Sequence, residues 1–338
     1  VCEFHYLHRD QGGKAYADSA ELSMALVRAA ERAGIGLTLL PTLYMHRGFG
    51  QSGLHENQRR FACTPDDVLG WHARIQAEAQ TIGRTHLLNA GVALHSLRAV
   101  DGDAIRTVAQ GLGHAPLHIH VAEQTREVED CVQHLGQRPV EWLLDQVGLD
   151  TRWNLVHATH TLPHELADIA RSGAAVVLCP TTEANLGDGF FDFPCALEHG
   201  VNWSIGTDSH VNRHPALELQ WLEYGQRLQL RQRNLAARHA HATSTATVLL
   251  QGALKGGSAA SGQALGGFRV GQRADAVALD TESAPLVGVP SDHRLDAWVM
   301  GQPCLPAKSV WVAGQRRDIH PNETLCEAWK KQMKSLWG

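Results

Sequence analysis

The sequence predicts an α/β fold built as a (β/α)8 barrel of the TIM type, with seven of its eight strands visible, followed by part of a small β-domain at the C-terminal end. Three observations predict it. Short apolar, β-rich runs alternate with amphipathic helical runs over most of the length, which is the pattern of a parallel sheet covered by helices. That alternation occupies residues 1–255, close to the roughly 250 residues such a barrel takes. Beyond about Gly256 it gives way to short runs that suit a small antiparallel sheet, so the expected division is 1–255 for the barrel and 256–338 for the β-domain with a terminal helix.

The seven expected strands lie at 1–6, 36–40, 87–94, 117–121, 154–156, 174–178 and 201–205. Polar residues and then a helix follow each of them. Asp18 and Ser19 carry the signature of a helix start and Gly34 that of its end, whereas Thr64, Pro65 and Asp66 open a second helix that runs to about Gly83. The stretch 43–63 is rich in Gly, His and Arg with no clear period, so a functional loop is expected there. In the last segment, 267–271, 276–280 and 309–314 read as strands. A doubly wound open sheet is the competing architecture; it calls for a Gly-rich phosphate loop after the first strand, and Val1 to Asp10 has none.

Composition narrows the function. The net charge is −5, with no lysine or arginine block, which disfavours binding to a phosphate backbone. No apolar run approaches the roughly 18 residues of a membrane span, so a soluble, cytoplasmic protein is expected, although any targeting signal would lie upstream of Val1. The seven cysteines form no C-x-x-C pair, which suits a reducing compartment. Twenty-one histidines stand against six lysines, a bias that fits metal or proton chemistry as well as compositional drift.

Three expected strand ends carry the chemistry. In His118-Ile119-His120-Val121-Ala122-Glu123 the two histidines share a strand face and Glu123 falls just past the end, an arrangement suited to a metal ligand beside a proton shuttle. His157 follows the strand at 154–156, and Asp208 in Gly206-Thr207-Asp208-Ser209-His210 closes the last one. Taken singly, His157 suits a structural role and Asp208 a turn or helix cap. Their convergence at one face is what points to a metal, with zinc favoured by imidazole and carboxylate ligands and iron or manganese as alternatives. No lysine lies between Lys14 and Lys255, so the barrel offers neither a bridging lysine for two metals nor a Schiff-base lysine. One metal per subunit is expected.

The ordered set His120 with Glu123, His157, and Asp208 in "GTDSH" resembles the amidohydrolase superfamily and its mononuclear deaminase branch, and "ALGGFRVGQRADAVALD" is similar to that superfamily's small β-domain. More narrowly, "EFHYLH", "HSLRAV", "HIHVAEQTREVEDC", "LVHATH", "TEANLGDG", "GTDSHV" and "WLEYGQRL" resemble the formimidoylglutamate deiminases, over nearly the whole chain. The resemblance implies that His120 and Asp208 bind the metal, that Glu123, His157 and Asp208 are catalytic, and that Tyr6, His95 and Arg98 hold the substrate. Arg98 agrees on its own chemistry, since it follows a strand and a guanidinium grips a carboxylate through paired hydrogen bonds; a surface arginine at a helix start is the plainer alternative.

The implied reaction is N-formimino-L-glutamate plus water giving N-formyl-L-glutamate plus ammonia, a step of histidine degradation. Asp208 accepts the proton of an activated water, hydroxide attacks the formimino carbon, Glu123 protonates the departing nitrogen and His157 stabilises the intermediate or steers the water. The expected partners are a small carboxylate-bearing substrate and a second copy in a homodimer, with neither nucleic acid nor membrane. A deaminase of another imine or aromatic amine, and a catalytically silent binding scaffold, are the alternatives.

The superfamily also carries an H-x-H pair on its first barrel strand. By order His118-x-His120 is on the fifth, and His5 and His8, three apart on a strand, are expected to face opposite sides. The chain therefore reads as a fragment of a barrel lacking its first strand.

Overall fold

The computed structural model describes residues 1–81, 86–301, 304–318 and 323–337. From the N-terminus it runs β1 (Cys2–His5), α1 (Glu21–Ala33), β2 (Leu37–Leu43), α2 (Pro65–Thr81), β3 (Leu88–Ala90), β4 (Val92–Ser96), α3 (Gly102–Gly111) and β5 (Leu117–Val121). There follow α4 (Thr125–Leu135), α5 (Pro139–Gln146), β6 (Trp153–His157), α6 (Pro163–Ser172), β7 (Ala175–Leu178), α7 (Pro180–Leu186), α8 (Phe193–Glu198) and β8 (Asn202–Ile205). The remainder is α9 (Pro215–Leu230), α10 (Leu235–His239), α11 (Thr245–Ser261), β9 (Ala276–Leu279), α12 (Arg294–Gly301), β10 (Ala307–Val312), β11 (Gln315–Arg317) and α13 (Glu323–Trp337).

Strands β1, β2, β4, β5, β6, β7 and β8 pair in parallel in that order, with β3 also on β2. All seven expected strands are present, and together they form a curled half-barrel. The expected strand at 87–94 is split because Gly91 interrupts it: its N–H bonds to the carbonyl of Leu39, and a Cβ there would lie 2.5 Å from the carbonyl oxygen of Pro116. β3 continues the pairing with the start of β2, and β4 takes over opposite Thr42 and Leu43.

Helix boundaries follow their local signals. Gly34 ends α1 in the left-handed conformation, φ 70°, which costs glycine least. At the start of α2 the Thr64 hydroxyl accepts from the Asp67 amide and the Asp67 carboxylate accepts from the Thr64 amide, a reciprocal cap that places Pro65 in the first turn. Gly83, where that helix was expected to end, lies outside the described residues. The stretch 43–63 contains the end of β2 and one short 3-10 turn, Glu56–Gln58, and is otherwise irregular.

The main core lies between sheet and helices, with Leu39, Leu94, Leu117, Ile119, Leu155 and Val176 fully buried. Alternate residues of β6 and β7 point to the concave side, where Val156, Val177, Cys179 and Ala260 form a small separate cluster. Ala260 belongs to α11, which continues past the boundary expected at 255–256. Gly256 sits directly on the backbone of β8, so that a Cβ would overlap the carbonyl of Trp203. At its C-terminal end, Ser261 accepts hydrogen bonds from Thr38 and Asn89, while Ala260 accepts from Cys2 and bonds His118 Nε2 at 2.8 Å. The helix thus ties β8 to β1, β2 and β5. Gly256→Ala is expected to destabilise the chain by about 1–3 kcal/mol or more, because a backbone cannot yield as a side chain can. Equal urea midpoints for variant and parent would show that the helix is not seated as described.

The C-terminal sheet has the order β11-β10-β9 and is antiparallel. One expectation fails here. Residues 267–271 are not a strand, because Gly266, Gly267 and Gly271 take φ of 128°, 117° and 88°, which turn the chain and leave Phe268 and Val270 exposed. The third strand is Gln315–Arg317, formed by the hairpin turn at Ala313 and Gly314. Among the described residues no helix is long and apolar enough to cross a membrane.

Candidate active site

Because the large sheet is parallel, β4, β5, β6 and β8 deliver their C-terminal ends to one side, and with them His95, His120, Glu123, His157 and Asp208. His120 Nδ1 lies 2.9 Å from the backbone carbonyl of His95. A carbonyl only accepts, so Nδ1 carries the proton and the Nε2 lone pair is free. That lone pair is 3.7 Å from Asp208 Oδ1, and the His157 ring stacks 5.5 Å away at 19°. One ligand atom each from His120, His157 and Asp208 lies within 4.8 Å of the others, a spacing that suits a single divalent cation.

His157 is anchored from behind. Its Nδ1 is 3.2 Å from Glu183 Oε1, and the same oxygen accepts from the Cys179 amide at 2.8 Å. The Nε2 atom therefore faces the site, 3.7 Å from Glu123 Oε1. Burial opposes a charge on His157, yet the carboxylates of Glu183, Glu123 and Asp208 outweigh it and raise the imidazole above its ordinary range. Burial likewise opposes ionised Asp208, but His120 and His157 hold its carboxyl below the usual value. A second buried trio, His157, Cys179 and Glu183, also has metal-compatible spacing. Burial and the nearby carboxylates push the Cys179 thiol well up, so the free thiol is protonated.

The strand ends carry backbone strain. Ala122, His157, Ala158 and Asp208 have φ between 40° and 68°, a conformation that costs non-glycine residues about 1–3 kcal/mol each and gathers at functional sites. At the end of β5 the buried Glu127 carboxylate takes the amides of Ala122 and Glu123 on its two oxygens, 3.1 Å each, and so aims Glu123 back at His157. At the end of β8, Thr182 bonds the Ser209 amide and hydroxyl and the Thr207 carbonyl, fixing the turn that presents Asp208.

Beside this cluster, Tyr6 and His95 meet edge to face with ring centroids 5.8 Å apart. Phe4 packs against His120 with centroids 4.3 Å apart and the rings tilted at 58°, and Tyr44 and Phe61 complete an aromatic wall. Burial, then the charges of His120 and Arg98, drive His95 well below the ordinary imidazole range. The Nε atom of Arg98 is buried without a hydrogen-bond partner among the described residues. Tyr6, His95, Arg98, His120, Glu123, His157 and Asp208 thus lie at this one end of the sheet.

One expectation about histidine directions needs correction. His5 and His8 do not face apart: β1 ends at His5, the strand alternation stops there, and the rings meet 5.2 Å apart, with His8 stacked on Trp71. They lie on the other side of β1 from Phe4 and Tyr6, so they still do not join the site. His118 shares the concave side with His120 but is spent on the carbonyl of Ala260. Glu183, Glu127, Tyr44 and Gln58 were not anticipated. Glu183 stands in the "TEANLGDG" segment as an early-turn acidic residue of α7, which in sequence reads as a helix-start preference.

The chain is similar to known proteins over most of its length. Residues 15–317 match the amidohydrolase family. The chain is 46% identical over 316 residues to the formimidoylglutamate deiminase of Pseudomonas aeruginosa, covering 93% of this chain and 69% of that protein. It is 27% identical over 315 residues to a 5-methylthioadenosine/S-adenosylhomocysteine deaminase of Teredinibacter turnerae, covering 90% and 65%. Among solved structures, an amidohydrolase from Brucella melitensis superposes with a TM-score of 0.92 at 40% identity, covering 99% of this chain and 74% of that one.

Proposed function

The chain belongs to the amidohydrolase family, and on that premise we propose that it hydrolyses the formimino C=N bond of N-formimino-L-glutamate, releasing ammonia and leaving N-formyl-L-glutamate. One observation carries the choice of substrate: Arg98, with a buried N–H that has no partner among the described residues, stands with Tyr6 and His95 beside the His120, Glu123, His157 and Asp208 cluster. A guanidinium with an unused donor in an aromatic-walled site suits a carboxylate.

His120 and Asp208 would hold a divalent cation, zinc by ligand type, and His157 Nε2 faces that place as a hydrogen-bond donor, not as a ligand. When bound, such a cation makes water acidic enough to supply a nucleophile at neutral pH. Asp208, held ionised, takes the proton released from that water. As oxygen bonds to the formimino carbon, the C=N electron pair moves to nitrogen, which takes a proton from Glu123. The raised His157 offers a positive N–H to the tetrahedral intermediate. The nitrogen takes its second proton from Asp208, the intermediate's hydroxyl gives its own proton back to Glu123, and as the C=O bond forms the C–N bond breaks and frees ammonia.

The test is ammonia release from N-formimino-L-glutamate, compared with its decarboxylated analogue. Arg98→Met is expected to lower kcat/KM on the first by roughly 10- to 100-fold and to leave the second little changed, since a charge-assisted pair contributes about 1.5–3 kcal/mol. Equal losses would make Arg98 a structural residue. The aromatic wall of Phe4, Tyr6, Tyr44 and Phe61 favours a second reading, deamination of an aromatic amine such as a purine-like ring. Faster turnover of adenosine than of formiminoglutamate would establish it.

A further inference from the structure

Tyr44 follows directly on β2, at the start of the irregular stretch, and its ring lies 4.3 Å from that of His95, 5.3 Å from Phe61 and 6.3 Å from Tyr6. It is only 8% exposed. A buried phenol needs hydrogen-bond partners, and one of them is settled by a relay through the 3-10 turn. The backbone amide of His55 donates to Gln58 Oε1 at 3.0 Å. An amide N–H can only donate, so the atom facing it must be the Gln58 oxygen, and the Gln58 NH2 is turned to the Tyr44 hydroxyl, again at 3.0 Å. Tyr44 Oη is thereby committed to accept from Gln58, and its own proton is left to donate elsewhere.

Among the described residues nothing accepts that proton. Nor does anything accept from Arg98 Nε, and while burial raises the Tyr44 phenol above its ordinary value, the Arg98 guanidinium is close enough to oppose that rise. Glu127 is the nearby carboxylate, but its two oxygens already serve the Ala122 and Glu123 amides. A buried corner with donors and no free acceptor is complementary to an anion that only accepts.

We propose that Tyr44, aimed by Gln58, donates to the same substrate carboxylate as Arg98 and is a specificity-determining residue for dicarboxylate substrates. The inference rests on the formiminoglutamate reading of the site. It extends the clamp from the β1 and β4 ends to the loop after β2, which the catalytic residues do not use.

The experiment measures binding of N-formyl-L-glutamate to the full chain by calorimetry, alongside its two monocarboxylate analogues, each lacking one carboxyl group. Tyr44→Phe keeps the ring and its packing. It is expected to weaken the dicarboxylate and one analogue about ten-fold, the scale of a hydrogen bond to a charged group, and to leave the analogue lacking the contacted carboxylate unchanged. Gln58→Leu frees the hydroxyl rotor without removing it and is expected to give a smaller loss with the same ligand pattern. Dicarboxylate affinities within two-fold of the parent for both variants, or equal losses on all three ligands, would overturn the role of Tyr44 and leave the deiminase reading standing. Failure of the parent chain to bind N-formyl-L-glutamate while binding an aromatic amine would overturn both.

Discussion

Glu123→Gln is expected to lower kcat on N-formimino-L-glutamate by about 10²- to 10⁴-fold, the usual contribution of a general acid-base group, with N-formyl-L-glutamate affinity within a few-fold of the parent. Glutamine has nearly the shape of glutamic acid and keeps the position set by Glu127, which binds the Glu123 backbone amide and not its side chain. What it loses is the proton for the departing nitrogen. Glu123 is mostly buried, with its Oε1 3.7 Å from His157 Nε2 and the substrate-facing side of the site beyond, so no bulk water replaces it readily. A kcat that survives within a few-fold, measured as initial rates of ammonia release, would assign proton transfer to another group.

His120→Ala is expected to abolish retention of a divalent cation, read as metal per chain by atomic emission after dialysis. The effect should exceed the roughly 10- to 100-fold drop in affinity that follows loss of an outer hydrogen-bond partner. Glu183→Gln supplies that smaller comparison, because it can still accept from His157 Nδ1 while removing the charge behind the imidazole. An alanine variant that holds as much metal as the parent would mean that His120 and Asp208 are not the cation site. A glutamine variant as poor as the alanine variant would move Glu183 itself into the coordination shell.

How far such residues can be seen in a sequence depends on whether their partners are local. The strand at 117–121 and the residues at its end were legible because alternation and the step from apolar to polar residues are properties of neighbours in the chain. The same holds for α1 and α2, whose caps involve residues two to four apart. The run 267–271 misled for a related reason: its apolar residues alternate like a strand, but three glycines with positive φ nearby allow a turn, and pattern does not report φ. His5 and His8 failed because the alternation that relates them stops at the end of β1.

The alternating strands and helices, the small antiparallel sheet, the four chemistry-bearing residues at strand ends and Arg98 all follow from short-range pattern together with family resemblance. Folding contributes the partners that aim them. Glu183 reaches His157 across 26 positions, Gln58 turns Tyr44 across 14, and the His95 carbonyl sets the His120 tautomer across 25. None of these pairs has a periodic signature, because a hydrogen bond between distant residues is specified by the curl of the sheet and by the strained turns at Ala122, His157 and Asp208, and both arise from packing the whole chain.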